Sequence, residues 1–255
     1  MHIVIAGYGK MGHLIEKTAV QMGHTIVCTI DPVAADARVP GADEAIRQGI
    51  FAAADGIIEF SHPSAVVENI RALLPLGIPM VVGTTGWKER EGEIASLAAR
   101  CGGTLVRSAN FSLGVNLFYR IVEEAARLIG RFSEYDAAVW ENHHNQKADS
   151  PSGTAAAIAE RIIAAGGAKK RVVSGNFPEK PEPEALQIAS TRVGHVPGTH
   201  SVFFDSPADT IELTHTARNR EGFALGAVHA LALLAAALFE GRLVRGRLYG
   251  MDDLF

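Results

Sequence analysis

His2-Ile3-Val4-Ile5-Ala6-Gly7-Tyr8-Gly9-Lys10-Met11-Gly12 carries an apolar run into a turn with three glycines, and Leu14, Ile15, Thr18, Ala19 and Met22 follow at helical spacing. Period and punctuation predict a strand, a tight turn and a helix. In such a unit the first glycine makes the turn, the second admits a pyrophosphate, and the third lets helix and strand pack closely. The phosphates then rest on unpaired N–H groups at the positive end of the helix dipole. A lone G-x-G-x-x-G is a weak signal. Here, however, a second apolar run, Thr25–Ile30, ends in Asp31, about 20 residues on, where an acidic side chain meets adenosine ribose hydroxyls. The stretch therefore predicts a dinucleotide-binding domain, with Gly7, Tyr8, Gly9, Lys10, Met11, Gly12 and Asp31 as cofactor-binding candidates.

Asp31 also bears on which nucleotide binds. A carboxylate there repels a 2′-phosphate and Pro32 supplies no compensating cation, whereas Lys10 and Arg38 soften the repulsion. NADH or NADPH is the expected cofactor, with NADH modestly favoured.

Working outward, residues 56–60 predict a third strand, 63–74 a helix with Pro63 in its first turn, 78–82 a fourth strand, 88–100 a helix and 104–107 a fifth strand. Strands alternating with helices predict an α/β class, a Rossmann-like doubly wound parallel sheet whose ligands sit beyond the carboxyl ends of the strands. Two polar turns follow such ends and join the cofactor-binding candidates: Gly83, Thr84 and Thr85, then Ser108, Ala109, Asn110 and Phe111.

After Phe111 the pattern changes. A helix over Leu113–Ile129 is followed by a strand over 135–141, a helix from Thr154, and strands at Arg171–Ser174, 186–193, 201–205 and Thr210–Thr216. Mostly hairpin-like strands with few helices predict a C-terminal α+β domain with an open mixed sheet. Residues 176–183, with Pro178, Pro181 and Pro183, read as a surface loop. Residues 223–239 form a last helix that packs back on the first domain. The expected organisation is 1–111 with 220–255 as the dinucleotide-binding domain and 112–219 as the substrate-binding and oligomerisation domain. The second sheet needs a cover for its other face, so a homo-oligomer, a homotetramer, is expected.

The chemistry is placed in Glu141-Asn142-His143-His144-Asn145-Gln146-Lys147-Ala148-Asp149-Ser150-Pro151-Ser152-Gly153-Thr154. His143 and His144 give or take protons near neutral pH, and Lys147 adds a fixed cation. Gly153 and Thr154 open an alanine-rich helix, whose first N–H groups and dipole receive an anion. Such a set suits a small acidic substrate. A metal is not expected, because no second cluster at ligand spacing accompanies the histidines.

The chain has 255 residues, 47% hydrophobic and 20% charged, with a formal charge of −4. That is ordinary globular composition and gives no reason to expect nucleic acid as a partner. Two cysteines, Cys28 and Cys101, and an N-terminus without a secretory pattern predict a reduced, cytoplasmic setting. The run at 223–239 is apolar but alanine-rich and interrupted by His229, as in a packed helix, so no membrane span is expected.

The stretch from Glu141 to Thr154, continued by Ala155, resembles the signature E-x-H-H-x-x-K-x-D-x-P-S-G-T-A of the 4-hydroxy-tetrahydrodipicolinate (dihydrodipicolinate) reductase family. Gly83-Thr84-Thr85-Gly86, Asn110-Phe111-Ser112-Leu113-Gly114-Val115-Asn116 and His215-Thr216-Ala217-Arg218-Asn219-Arg220 are similar to family segments in the same order. The resemblance implies that His143 and Lys147 are catalytic, that His144, Gly153 and Thr154 bind substrate, and that Arg220 reaches a substrate carboxylate. It further implies a dicarboxylate cyclic imine as substrate; with the cofactor held by one domain and the acid groups by the other, closure is expected about hinges near 110–114 and 218–222. The glycine loop is one residue shorter than in many members, and Pro32 stands where some carry a basic residue. On the residues alone two other readings stay open: an amino-acid dehydrogenase of similar layout, acting on aspartate or diaminopimelate, and a dinucleotide sensor without turnover.

Overall fold

The computed structural model describes residues 1–177 and 179–255 and divides the chain into two compact units, Met1–Leu113 with Glu221–Phe255, and Gly114–Arg220. The first unit runs β1 (His2–Ala6), α1 (Lys10–Gln21), β2 (Thr25–Ile30), α2 (Ala42–Arg47), β3 (Gly56–Glu59), α3 (Val66–Leu73), β4 (Met80–Val82), α4 (Glu91–Cys101) and β5 (Leu105–Arg107). The second contains most of α5 (Leu113–Ile129), then β6 (Asp136–His143), α6 (Gly153–Ala164), β7 (Arg171–Ser174), β8 (Ala185–Arg192), β9 (Thr199–Asp205) and β10 (Thr210–Thr216). The chain then returns to the first unit as α7 (Glu221–Phe239) and β11 (Leu248–Tyr249).

In the first unit six strands pair in parallel in the order β11-β5-β4-β3-β1-β2. Alternation along β1 assigns each face its core. Val4 and Ala6 join Ile57, Met80 and Val82 beneath Val66, Ile70 and Ile94, whereas Ile3 and Ile5 join Ile58, Val81 and Val106 beneath Ile15, Ala227 and Leu231. Both faces are covered by helices, the condition under which an all-parallel sheet is stable. The apolar helix α7, with mean hydropathy 2.1 and long enough to cross a membrane, is one of those covers: Ala224, Ala227, Val228, Ala230, Leu231 and Leu234 are buried against the sheet.

Several expected boundaries shift. The α3 helix starts at Val66, and Pro63 lies in the turn before it; β4 starts at Met80 rather than 78; and a 3-10 turn at Lys88–Arg90 precedes α4. Among the described α-helices and strands, α2 and the edge strand β11 were not read from the sequence. Both are short, and β11 lies among glycines and arginines without a legible period.

The second unit is a five-stranded sheet in the order β10-β9-β6-β8-β7. It is mixed, as expected, but not mostly hairpins. Among the described residues only β9–β10 is a sequential antiparallel pair; β6 runs parallel to β8, the chain leaving β6 through α6, and β8 runs parallel to β7. Phe118, Val122, Ile158 and Ile162 of the helices pack on Val139, Ile188, Val202 and Phe204 of one sheet face. In the loop expected at 176–183, Pro178 lies outside the described residues, and Pro181 and Pro183 are exposed.

Candidate functional site

At the end of β1, Gly7 takes a positive φ of 92°, and a Cβ there would strike the carbonyl of Phe60 at the end of β3. Glycine is therefore required for the loop to lie this close to the sheet. The Cβ position at Gly9 is open, with nothing within 4 Å, so a ligand can approach that backbone. A groove of about 730 Å³ above the strand ends is lined by Gly9, Lys10, Met11 and Asp31, and by Gly83, Thr84 and Thr85 across it. A smaller hollow of about 160 Å³ continues past Thr84 and Thr85 to Ser108 and Ala109. The first unit thus gathers most of the cofactor-binding candidates at the carboxyl ends of its strands, and this cradle fits a dinucleotide.

Gly7, Tyr8, Gly12, Asn110 and Phe111 line neither hollow. Tyr8 stacks on His13 at 4.1 Å and bonds to Glu16, which, with burial, pushes its hydroxyl up to about 12. Phe111 is buried in the core and meets the Phe60 ring at 5.8 Å. Asn110 shapes its turn: Ser112 N–H donates to its Oδ1 at 2.9 Å. Phe60, Ser61, His62 and Pro63 also line the groove and were missed; the end of β3 is where the strand-end rule pointed.

Asp31 is fixed by its own loop. Its Oδ2 accepts the Tyr8 N–H at 2.8 Å, and its Oδ1 those of Val33 and Ala34 at 2.8 and 2.9 Å. Burial opposes ionisation, but the three N–H donors outweigh it and hold the carboxyl below the usual range. An anion therefore stands at the groove. Arg38 does not line it, since its guanidinium donates to the Val27 carbonyl at 2.8 Å, whereas Lys10 does.

In the second unit β6 places Glu141 and His143 two residues apart on the same sheet face. Glu141 is completely buried. Its Oε1 accepts Ser152 N–H at 3.0 Å, Ser190 Oγ–H at 2.7 Å and an Arg192 N–H at 2.9 Å, and its Oε2 lies 2.8 Å from His143 Nδ1. Burial alone would raise this carboxyl, but its donors pull it down to about 2. Burial lowers the His143 imidazole; Glu141 opposes that, and Lys147, Arg192 and His144 reinforce it. His200 of β9 meets the His143 ring edge-on at 5.1 Å, its Nε2 3.2 Å from Ser152 Oγ. Burial and the neighbouring His143 lower His200 to about 4, so it is neutral at pH 7.

Lys147 is not a lone cation. Its Nζ bonds both oxygens of Asp149 at 2.8 and 2.9 Å. His144 is anchored through its backbone N–H, which donates to Val196 O at 2.8 Å. Ser152 caps α6, its Oγ accepting Ala155 N–H at 3.1 Å, and the Cβ position at Gly153 is open. Glu141, His143 and His200 present ligand-type atoms within 4.8 Å of one another. Two donors on a tetrahedral ion with bonds of about 2.0–2.1 Å stand about 3.3 Å apart. The Oε2–Nδ1 distance of 2.8 Å is shorter than that and is an ion-pair contact, so the trio reads as a buried, charge-coupled network rather than an ion's ligand set. Glu141 has a sequence signal, an acid two residues before His143 on a strand. Arg192 and His200 come from other strands and had none.

Residues 1–111 match the family model described as dihydrodipicolinate reductase, N-terminus, and residues 114–255 the one described as dihydrodipicolinate reductase, C-terminus. The chain is similar to a 4-hydroxy-tetrahydrodipicolinate reductase from Christiangramia forsetii, 35% identical over 234 residues that cover 92% of each chain. It is equally similar to that of Archaeoglobus fulgidus, 35% identical over 269 aligned positions covering 99% of each. Its fold resembles the dipicolinate-bound dihydrodipicolinate reductase from Paenisporosarcina sp. TG-14, with a TM-score of 0.77, 22% identity, and coverage of 100% of this chain and 99% of that one.

Proposed function

The chain belongs to the dihydrodipicolinate reductase family, and on that premise we propose that His143 is the proton donor in its NAD(P)H-dependent reduction of 4-hydroxy-tetrahydrodipicolinate. The enzyme is an oxidoreductase of the diaminopimelate route to lysine. The reading of the site is carried by one observation: a buried imidazole backed at 2.8 Å by an ionised carboxylate, on the strand that leads to Lys147 and the start of α6.

The substrate is a six-membered cyclic imine with two carboxylates and a hydroxyl that leaves as water. Lys147 binds one carboxylate in exchange for Asp149, and the positive end of α6 at Gly153 and Thr154 receives the same group, with His144 beside it. These contacts fix the ring, so the reaction proceeds from an oriented complex. When bound, the nicotinamide supplies hydride to ring C4. His143 donates the proton that completes the two-electron reduction. In the first unit the glycine loop receives the pyrophosphate, and Asp31 the adenosine ribose. Because that carboxylate is held ionised at the groove, NADH is modestly preferred over NADPH.

The sheet face opposite α5 and α6 carries Ala138 beside Phe203, and Trp140 between Ser201 and Ala189. A second copy covering it gives a homotetramer, testable by light scattering during size exclusion. The free thiols Cys28 and Cys101 suit a cytoplasmic enzyme.

The test is His143→Gln. A general acid contributes about a hundred- to ten thousand-fold, so kcat falls by that order with a smaller change in KM. A near-normal kcat removes His143 from the role.

A further inference from the structure

The reaction assigns His143 a proton but leaves its fully buried neighbour without a task. Glu141 spends Oε1 on three donors, from Ser152, Ser190 and Arg192, while among the described residues Oε2 and His143 Nδ1 both lack an aligned hydrogen-bond partner although they lie only 2.8 Å apart. The second imidazole, His200, lies farther off, with Nε2 at 3.9 Å from that oxygen. Leaving a buried carboxylate oxygen and a buried ring nitrogen unsatisfied side by side is costly, and a proton on Nδ1 turned toward Oε2 satisfies both. The imidazole then presents Nε2 as its working end. Gly198 lies over that atom, and a Cβ there would stand 2.9 Å from Nε2; a side chain at this position would crowd the ring end that must meet the substrate.

We propose that Glu141 is the positioning residue of the site: it accepts Nδ1–H of His143, fixes Nε2 as the proton-donating end, and stabilises the imidazolium from which that proton leaves. In the step, the Nε2–H bond breaks and its proton passes to the reduced ring. His143 is left neutral with Nδ1–H on Glu141, which stays a carboxylate throughout. The groups facing His143 are Glu141 on its own strand, His144 and Lys147 after it with Asp149 paired to Lys147, Arg192 on β8 and His200 on β9, with His215 on β10 beyond. Of these, Glu141 favours the protonated ring, while Lys147, Arg192 and His144 oppose it. His200, neutral at pH 7, walls the network without adding charge.

The proposal rests on His143 being the proton donor, and the experiment separates the two. In Glu141→Gln, kcat at neutral pH falls by about a hundred-fold, and the alkaline limb of its pH profile moves down by about one to three units, with the substrate KM little changed. Glu141→Asp, which keeps the charge, restores the limb toward its wild-type position. In wild-type enzyme labelled with nitrogen-15 at histidine, the neutral His143 ring carries its proton on Nδ1, a reading that needs no variant to fold. Wild-type kcat and an unmoved limb in Glu141→Gln, beside a crippled His143→Gln, would overturn the proposal alone. So would a neutral His143 protonated on Nε2. An active His143→Gln overturns both.

Discussion

Acid removes a defined part of the second unit's stability through His200. This ring is buried and neutral, lowered to about 4 from an ordinary value near 6.5, while in the unfolded chain it titrates normally. The group is depressed on folding, so its contribution is complete above pH 6.5 and is lost as pH falls from there to about 4. Linkage between those two values gives a loss of about 2 kcal/mol between pH 7 and pH 5. His143 and His215 are also lowered by burial and add loss in the same direction. Urea unfolding followed by circular dichroism at pH 7 and pH 5 reads the sum, and His200→Gln isolates the share of one ring. The variant is less stable at pH 7, where its bond to Ser152 is gone, but its decline toward pH 5 is smaller by about 2 kcal/mol. An identical decline in variant and wild type, or no decline in wild type, would refute the assignment of His200 as a buried neutral ring.

Three other outcomes follow from the same geometry. Lys147→Ala removes a charge-assisted bond worth about 1.5–3 kcal/mol, so the substrate KM rises roughly ten- to a hundred-fold, and an unchanged KM in steady-state assays contradicts carboxylate binding. Asp31→Asn removes the anion at the groove, so the ratio of kcat/KM for NADPH to that for NADH increases; a ratio that stays put assigns the preference elsewhere. A general acid works protonated, so rates fall as pH rises through the pKa of His143. Because burial lowers that pKa, the alkaline limb of kcat/KM lies below about 6.5, and bound dicarboxylate moves the limb of kcat upward, as pH profiles of the two parameters check.

The first sheet was legible because its physics is local. Strands β1, β3 and β4 are buried along most of their length, each built on a short apolar run, and Gly7 and Asp31 stand where the fold needs them. Amphipathic α5, and β7 and β10, also begin and end where their patterns do. The failures lie where partners are distant. Parallel pairing of β6 with β8 depends on residues about 50 apart that no local period connects. The two-residue β11 borrows its register from Leu105 and Val106. At the site, the histidine stretch stood out through its residue types, but its electrostatics did not. Arg192 and His200 reach Glu141 and His143 across neighbouring strands, and burial, invisible in the sequence, moves the imidazoles away from neutral titration.

This chain reduces 4-hydroxy-tetrahydrodipicolinate with hydride from NAD(P)H. A coupled assay reads this reaction: the substrate is formed in place, from pyruvate and aspartate semialdehyde with the preceding synthase, while nucleotide absorbance is followed at matched NADH and NADPH. The expected result is oxidation that requires the synthase and proceeds faster with NADH. Protein that binds NADH yet consumes neither nucleotide when the synthase is active would contradict it.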